Sequence, residues 1–211
     1  MGVKERRERE KSEIRDKILD AARELFITEG YDGVSMRQVA EKIEYSPTAI
    51  YLHFEDKEDL FHELCHQDFG RLAEVFQSGT LPTDPVERLK HICLTYLDFG
   101  MRYPNHYRLM FMTPHPPGEL DERDQEVKGN PEVDAYAFLK LTVQQALDAG
   151  RFRDELTDAD LISQTIWGAG HGVIALQIAK CNDSWVEWRP LQQRAEFALD
   201  AILRGLLKET K

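Results

Sequence analysis

From Ser35 to Phe54 the chain has room for two helices and almost nothing between them. Ser35 stands where a helix N-cap is preferred, and Met36, Val39, Ala40 and Ile43 follow at helical spacing. Ser46-Pro47 then opens a second helix, with serine at the N-cap and proline at N1, where its missing N–H costs nothing. Two helices joined by so short a turn must cross rather than continue one another. Ala40 is small on the inward side and lets the next helix approach closely. Ile50 and Phe54, four residues apart, are expected to pack down on Ile43 and on the helix before it. Spacing alone also allows a plain helical hairpin.

The remaining sequence is helical in pattern too, which makes the expected fold all-α. Ser12 is the expected N-cap of a first helix, in which Ile14, Ile18, Ala21, Ala22, Leu25 and Phe26 recur until Gly30. Asp56 is expected to cap a fourth helix running through Phe76. A fifth follows Pro85 to about Arg102, and a short aromatic and Met-rich sixth follows Pro104. Residues 113–131 have no apolar periodicity, which predicts a lid or a disordered loop. Three more helices are expected near 132–149, 158–181 and 188–207, about nine in all, with no strand.

Composition narrows the setting. The longest apolar run, 166–179, is too short and interrupted to span a bilayer, so no membrane role is expected. The first 17 residues are charged throughout and do not resemble a signal peptide. Cys65, Cys93 and Cys181 lie far apart and predict neither a disulfide framework nor a cysteine metal site, which fits a reducing cytoplasm. The net charge is −11, yet residues 1–54 carry ten Lys/Arg against eleven Asp/Glu. Nearly all the excess acid therefore lies beyond residue 54. Residues 1–17 hold seven basic side chains against five acids, compatible with an arm beside phosphates or with a solvated tail.

With Ile50 and Phe54 turned inward, Pro47, Thr48, Tyr51, Leu52 and His53 are free to point away from the core. That set has hydroxyls, an imidazole and no acid, and can enter a DNA major groove. A competing signal is HELCH, residues 62–66, which matches the helical zinc-protease pattern H-E-x-x-H. The third ligand motif that such an enzyme needs does not follow at the usual spacing. His62 and His66 border the apolar stripe of Leu60, Phe61, Leu64, Cys65, Leu72 and Phe76. Neither a cofactor, a metal nor a catalytic residue is expected. The alternatives are a metal-binding or metal-dependent protein using His62 and His66, and a DNA-binding protein without an effector.

The stretch 21–61 resembles the DNA-binding domain of the tetracycline-repressor (TetR) family. Phe26, Gly30, Ser35, Val39-Ala40, Ser46, Tyr51, Phe54, Lys57 and Leu60 carry the likeness, and Glu44 stands where the family usually has Gly. The resemblance implies a three-helix helix-turn-helix DNA-binding domain over 1–55 and a helical effector-binding and dimerisation domain over 56–211. It implies that Ser35, Arg37 and Gln38 face phosphates, that Ser46, Pro47, Thr48, Tyr51 and His53 belong to the recognition helix, and that Lys57 contacts phosphate. Such a chain would be a transcriptional repressor acting on double-stranded operator DNA.

Residues 107–116 and 165–176 further resemble the subgroup of these regulators named for a Trp and His-Gly signature, here Trp167, His171 and Gly172. The family implies a pocket for a small-molecule effector. Its expected wall is Phe69, Tyr96, Phe99, Tyr103, Tyr107, Met110, Phe111, Phe138, Trp167 and His171, whose aromatic and thioether character suits an apolar or amphipathic ligand. The last two helices are expected to form a homodimer's four-helix bundle. Gly168, Ala169, Gly170 and Gly172 would allow close approach, and Phe197, Ala198, Ala201, Ile202 and Leu206 would supply an apolar stripe.

Overall fold

Caps and breakers placed in the sequence fix most helix ends in the computed structural model, which describes residues 3–115 and 122–208. Ten helices run in order: α1 (Val3–Gly33), α2 (Met36–Lys42), α3 (Pro47–Tyr51), α4 (Lys57–Phe76), α5 (Pro85–Arg102), α6 (Pro104–Met112), α7 (Glu122–Val127), α8 (Ala135–Asp148), α9 (Ala159–Lys180) and α10 (Leu191–Leu206). No strand occurs among the described residues, only an isolated bridge between Phe152 and Leu207. The fold is all-α, as expected, with ten helices among the described residues where the sequence suggested about nine.

Two expectations are corrected. α1 does not start at Ser12 but runs from Val3. Lys4–Glu8, Arg6–Glu10 and Arg9–Glu13 each pair across one turn, which supports helix where no apolar face exists to signal it. Residues 113–131 contain α7, although no apolar periodicity marks it; positions 116–121 of that expected lid lie outside the described residues. Arg123 explains part of α7's placement, since its guanidinium reaches Asp59 and Glu63 of α4 at 3.1 Å each.

The chain divides into two units, Met1–Asp68 with Asn105–Asp124 and Phe69–Pro104 with Gln125–Lys211. In the first, Ile18, Ala22 and Phe26 of α1 are buried together with Val39 and Ala40 of α2, Ile50 of α3, and Leu60, Phe61 and Leu64 of α4. Each of the larger of these side chains, the Val, Ile, Leu and Phe, contributes roughly 1.5–3 kcal/mol by leaving water. Phe26 and Phe61 meet edge to face at 5.1 Å. Inside this apolar packing sits a charged group: Arg23 of α1 donates to both carboxylate oxygens of Asp68, at 3.3 and 3.0 Å, and His106 Nδ1 lies 2.7 Å from the same carboxylate. Arg23 is completed by Asp20 at 2.9 Å.

In the second unit α5 packs on α8 and α9, and α10 packs on α9. Leu89 and Ile92 of α5, Phe138 and Val143 of α8, and Ile162 and Ile174 of α9 form its core. Asp84, Asp134 and Asp158 cap α5, α8 and α9 by accepting from first-turn amides.

The turn between α2 and α3 ends α2 in a Schellman arrangement, with Glu44 N–H donating to the Glu41 carbonyl and Tyr45 N–H to that of Ala40. This puts Glu44 at φ 61, and it is the one non-glycine residue with positive φ among the described residues. A side chain costs about 1–2 kcal/mol in that region. Glu44→Gly is expected to stabilise the protein by about 0.5–1 kcal/mol, once glycine's greater freedom in the unfolded chain is subtracted. Urea unfolding reads this directly, and a destabilised variant would show that Glu44 makes a compensating contact.

Candidate nucleic-acid interface

The α2–turn–α3 corner is built from two caps. Ser35 Oγ accepts from the Gln38 amide, and the Gln38 side chain accepts from the Ser35 amide, a reciprocal capping box. Ser46 Oγ accepts from the Ala49 amide, with Pro47 in the first turn of α3. Ile50 and Phe54 are buried as expected and anchor α3 from beneath. The opposite side of α3 is bare: Thr48 is exposed, Tyr51 is 54% exposed and Leu52 is 74% exposed. Exposing a phenol ring and a leucine side by side costs apolar hydration, so a surface of this kind is a contact surface in waiting.

Around α3 the other residues expected to contact DNA fall into two sets. Ser35, Arg37, Ser46 and Pro47 are exposed, while Gln38, His53 and Lys57 are half-buried. Gln38 is committed locally, accepting from Ser35 and donating to Glu29 at 3.0 Å. Arg37 is paired along α2 with Glu41 at 2.9 Å, an exposed pair that a phosphate can outbid at little cost. Lys57 is held differently. Its ammonium donates to the Tyr31 carbonyl at 2.9 Å and lies 4.2 Å over the Tyr31 ring, neither of which cancels its charge.

His53 has its pKa lowered, first by burial and then by the charges of Lys11 and Arg15. It is therefore neutral near pH 7 and suited to a hydrogen bond rather than to neutralising a phosphate.

The two HELCH histidines share one side of α4, while Leu64 and Cys65 between them are buried. His62 and His66 lie on either side of Asp124, with Nδ1 atoms 3.7 and 3.5 Å from its carboxylate oxygens, and His62 Nε2 is 3.7 Å from Glu58. Among the described residues no group of three or more His, Cys, Asp and Glu side chains could hold a metal ion. Cys65 is buried and its thiol is pushed up to about 12, mainly by burial and further by Asp68 and Asp124, so it offers no thiolate.

The ten expected effector-contacting residues separate. Tyr107, Met110 and Phe111 belong to the first unit, where Tyr107 is fully buried and its ring lies 4.9 Å from that of Phe111. The other seven belong to the second. Tyr96, Phe99 and Phe138 are buried there, and Trp167 donates through its indole N–H to the Tyr96 hydroxyl at 3.0 Å. The rings of Phe99 and Tyr103 meet tilted at 5.4 Å, with Arg71 over the Tyr103 ring, and Phe69 is half-buried. Burial lowers the pKa of His171, which is neutral near pH 7.

The second unit also has an apolar groove that sequence reasoning missed, between α5, α9 and α10 and lined by Cys93, Leu97, Ile166, Gly170, Ala198 and Ile202. None of the ten expected wall residues lines it. Its components are spread over 110 positions of ordinary helix pattern, and only the packing brings them together.

The last two helices also sort their stripe. Ala198 and Ile202 turn to this groove, whereas Phe197 and Ala201 stay exposed, as do Leu161, Gly168 and Leu176 on α9. A Cβ added at Gly168 or Gly172 would meet nothing within 4 Å.

Comparison with known proteins follows this division. Residues 18–64 match the family described as "Bacterial regulatory proteins, tetR family", and residues 89–202 match "Tetracyclin repressor-like, C-terminal domain". The HTH-type transcriptional repressor AcnR of Corynebacterium diphtheriae is 39% identical over 77 residues, which is 36% of this chain and 40% of that repressor. The chain thus spans about two fifths of that relative's length. The HTH-type transcriptional regulator AcrR of Shigella flexneri is 28% identical over 160 residues, 74% of this chain and 72% of its own. Among solved structures, a tetR-family bacterial regulatory protein from Rhodococcus RHA1 superposes with a TM-score of 0.72 at 17% identity, covering 93% of this chain and 98% of that one.

Proposed function

Because the chain belongs to the TetR family of bacterial regulatory proteins, we propose that it is a transcriptional repressor that binds a palindromic operator as a homodimer and is released by a small apolar or amphipathic effector. The observation that carries this reading is the corner of α2 and α3: two serine-capped helices on a buried Ile50 and Phe54, with Thr48, Tyr51 and Leu52 left in solvent. Residues 1–55 are the DNA-binding head and 56–211 the effector and dimerisation domain. Thr48 and Tyr51 reach base edges or backbone, while Ser35, Arg37, Ser46 and Lys57 position the head on phosphates. With no Arg or Asn on the outer side of α3, bidentate base contacts are few, and the shape of the duplex carries part of the specificity. A role on chromosomal DNA places the chain in the cytoplasm. No helix of the described chain is long and apolar enough to cross a membrane.

Dimerisation through α9 and α10 supplies the second head, since one short reading helix provides little affinity. The exposed Leu161, Leu176 and Phe197, with the open Gly168 and Gly172, support that face. The effector is taken up among the aromatic residues of the helical domain, Tyr96, Phe99, Tyr103, Phe138 and Trp167 first among them. Occupancy favours a state of the dimer whose heads fit the operator poorly, with residues 54–61 as hinge, and the coupling is on the order of 1–3 kcal/mol. Catalysis has no part in this reading.

The test is selection of duplexes from a random-sequence pool by the full-length protein. A palindromic consensus with half-sites about one helical turn apart is expected. Recovery of no preferred sequence would refute the reading. On the selected duplex and its single-base variants, Arg37→Ala is expected to weaken binding to every sequence alike. A loss confined to one base position would instead make Arg37 a base reader.

A further inference from the structure

The first three turns of α1 project a basic row along the same line of the helix that further on becomes the core. Ile18 and Ala22 are buried in the first unit. Stepping back from them by three and four residues gives Arg15, Lys11, Arg7 and Lys4, which therefore share their face. Arg15 fixes this face in space: its guanidinium lies 5.0 Å over the Phe54 ring, just beyond α3, and 2.8 Å from Glu63 of α4. Lys11 is one turn further out on the same side, and its charge is felt at His53. Two acids of the segment are used on the opposite side of the helix, where Arg6 pairs with Glu10 and Arg9 with Glu13, while Glu8, which shares the basic face, is met by Lys4 at 3.9 Å. Arg7 and Lys11 are both exposed and have no ion-pair partner among the described residues.

Cations of the corner itself are more engaged. Arg37 is paired with Glu41, Lys42 with Glu24 at 2.8 Å, and Lys57 is tied to Tyr31. Helix α3 contains no Lys or Arg. The positive charge without an ion-pair or hydrogen-bond partner on this side of the head therefore includes Arg7 and Lys11 of α1, in line with the Arg15 that covers Phe54.

We propose that Arg7 and Lys11 form a second DNA contact, binding the sugar–phosphate backbone of the duplex that flanks the half-site read by α3. The contact is independent of sequence and adds to affinity through release of condensed counterions. It gives each head a footprint wider than the two short helices provide, and it supplies phosphate neutralisation that a chain of net charge −11 otherwise has in short supply. This inference rests on the regulator reading above.

The experiment uses the full-length protein and the duplex selected from the random pool, carrying flanks of mixed sequence, with Kd measured by fluorescence anisotropy from low to moderate KCl. Arg7→Ala and Lys11→Ala are each expected to make the log–log salt dependence shallower by about 0.9 per head, or about 1.8 for a dimer, and to weaken binding at 0.1 M salt by roughly tenfold or more. All operator variants should lose affinity alike. Alanine favours helix, so the arm stays folded, which circular dichroism verifies. Arg6→Ala and Arg9→Ala, on the other lines of the helix, should leave the slope unchanged. An unchanged slope for Arg7→Ala and Lys11→Ala with a tightly binding parent overturns the inference alone, as does an equal loss from the Arg6 and Arg9 variants. A parent that prefers no duplex overturns the regulator reading and this contact with it.

Discussion

Asp68→Ala is expected to destabilise the protein by roughly 3–5 kcal/mol, more than any surface change considered above. The carboxylate is nearly fully buried and accepts both donors of the Arg23 fork as well as His106. Removing it leaves a guanidinium inside the first unit with only Asp20 to answer it, and an uncompensated buried charge costs far more than the net worth of the pair. The same reasoning predicts the outcome of removing both charges. Arg23→Met with Asp68→Leu should recover most of the loss, because no charge is then left in the site to desolvate. Chemical denaturation followed by circular dichroism measures both. A single substitution that costs under 1 kcal/mol would mean that water reaches the site and that Arg23 is not truly enclosed.

The second large effect concerns assembly. Leu176 and Phe197 are 48% and 76% exposed on α9 and α10, so changing them removes little from the core of their own chain. In a two-fold interface each residue meets the same surface of its copy, and Leu176→Arg together with Phe197→Arg would bury four new charges there. The double variant is expected to sediment as a monomer at micromolar concentration with its helix content intact. Its affinity for the selected operator should fall by about 10³-fold or more, towards the level of non-specific binding, since a lone head reads only one half-site. A variant that remains dimeric would place the interface elsewhere on the chain. A monomer that keeps full operator affinity would instead show that one head suffices.

Much of the fold was legible because it is local. Ser35, Ser46, Asp56 and Pro85 stop or start helices by satisfying or removing amide donors within a few residues, so their positions alone locate α2, α3, α4 and α5. The positive φ at Glu44 falls where the resembled family usually has glycine, so the resemblance marked the position that the backbone then shows. The outward character of Thr48 and Tyr51 followed from the inward pull of Ile50 and Phe54, four residues apart on one helix.

What escaped sequence reasoning is set by partners far away in the chain. α7 carries no apolar stripe, and its Arg123 meets acids some 60 residues earlier. The start of α1 is a different case: it has no apolar face, and its local i,i+4 ion pairs, Lys4–Glu8, Arg6–Glu10 and Arg9–Glu13, are the helical signal that sequence reasoning missed. The groove of Cys93, Gly170 and Ala198 exists only where three helices meet.

The amino-acid order by itself determined the helices, the capped corner and the family, since those depend on backbone donors and side-chain periods within a turn or two. Tertiary structure alone decided which of the aromatic residues are core, which charges are enclosed with Arg23 and Asp68, and which of the seven basic residues at the start are left for a partner. Burial and pairing are properties of neighbours in space, and the distance along the chain does not encode them.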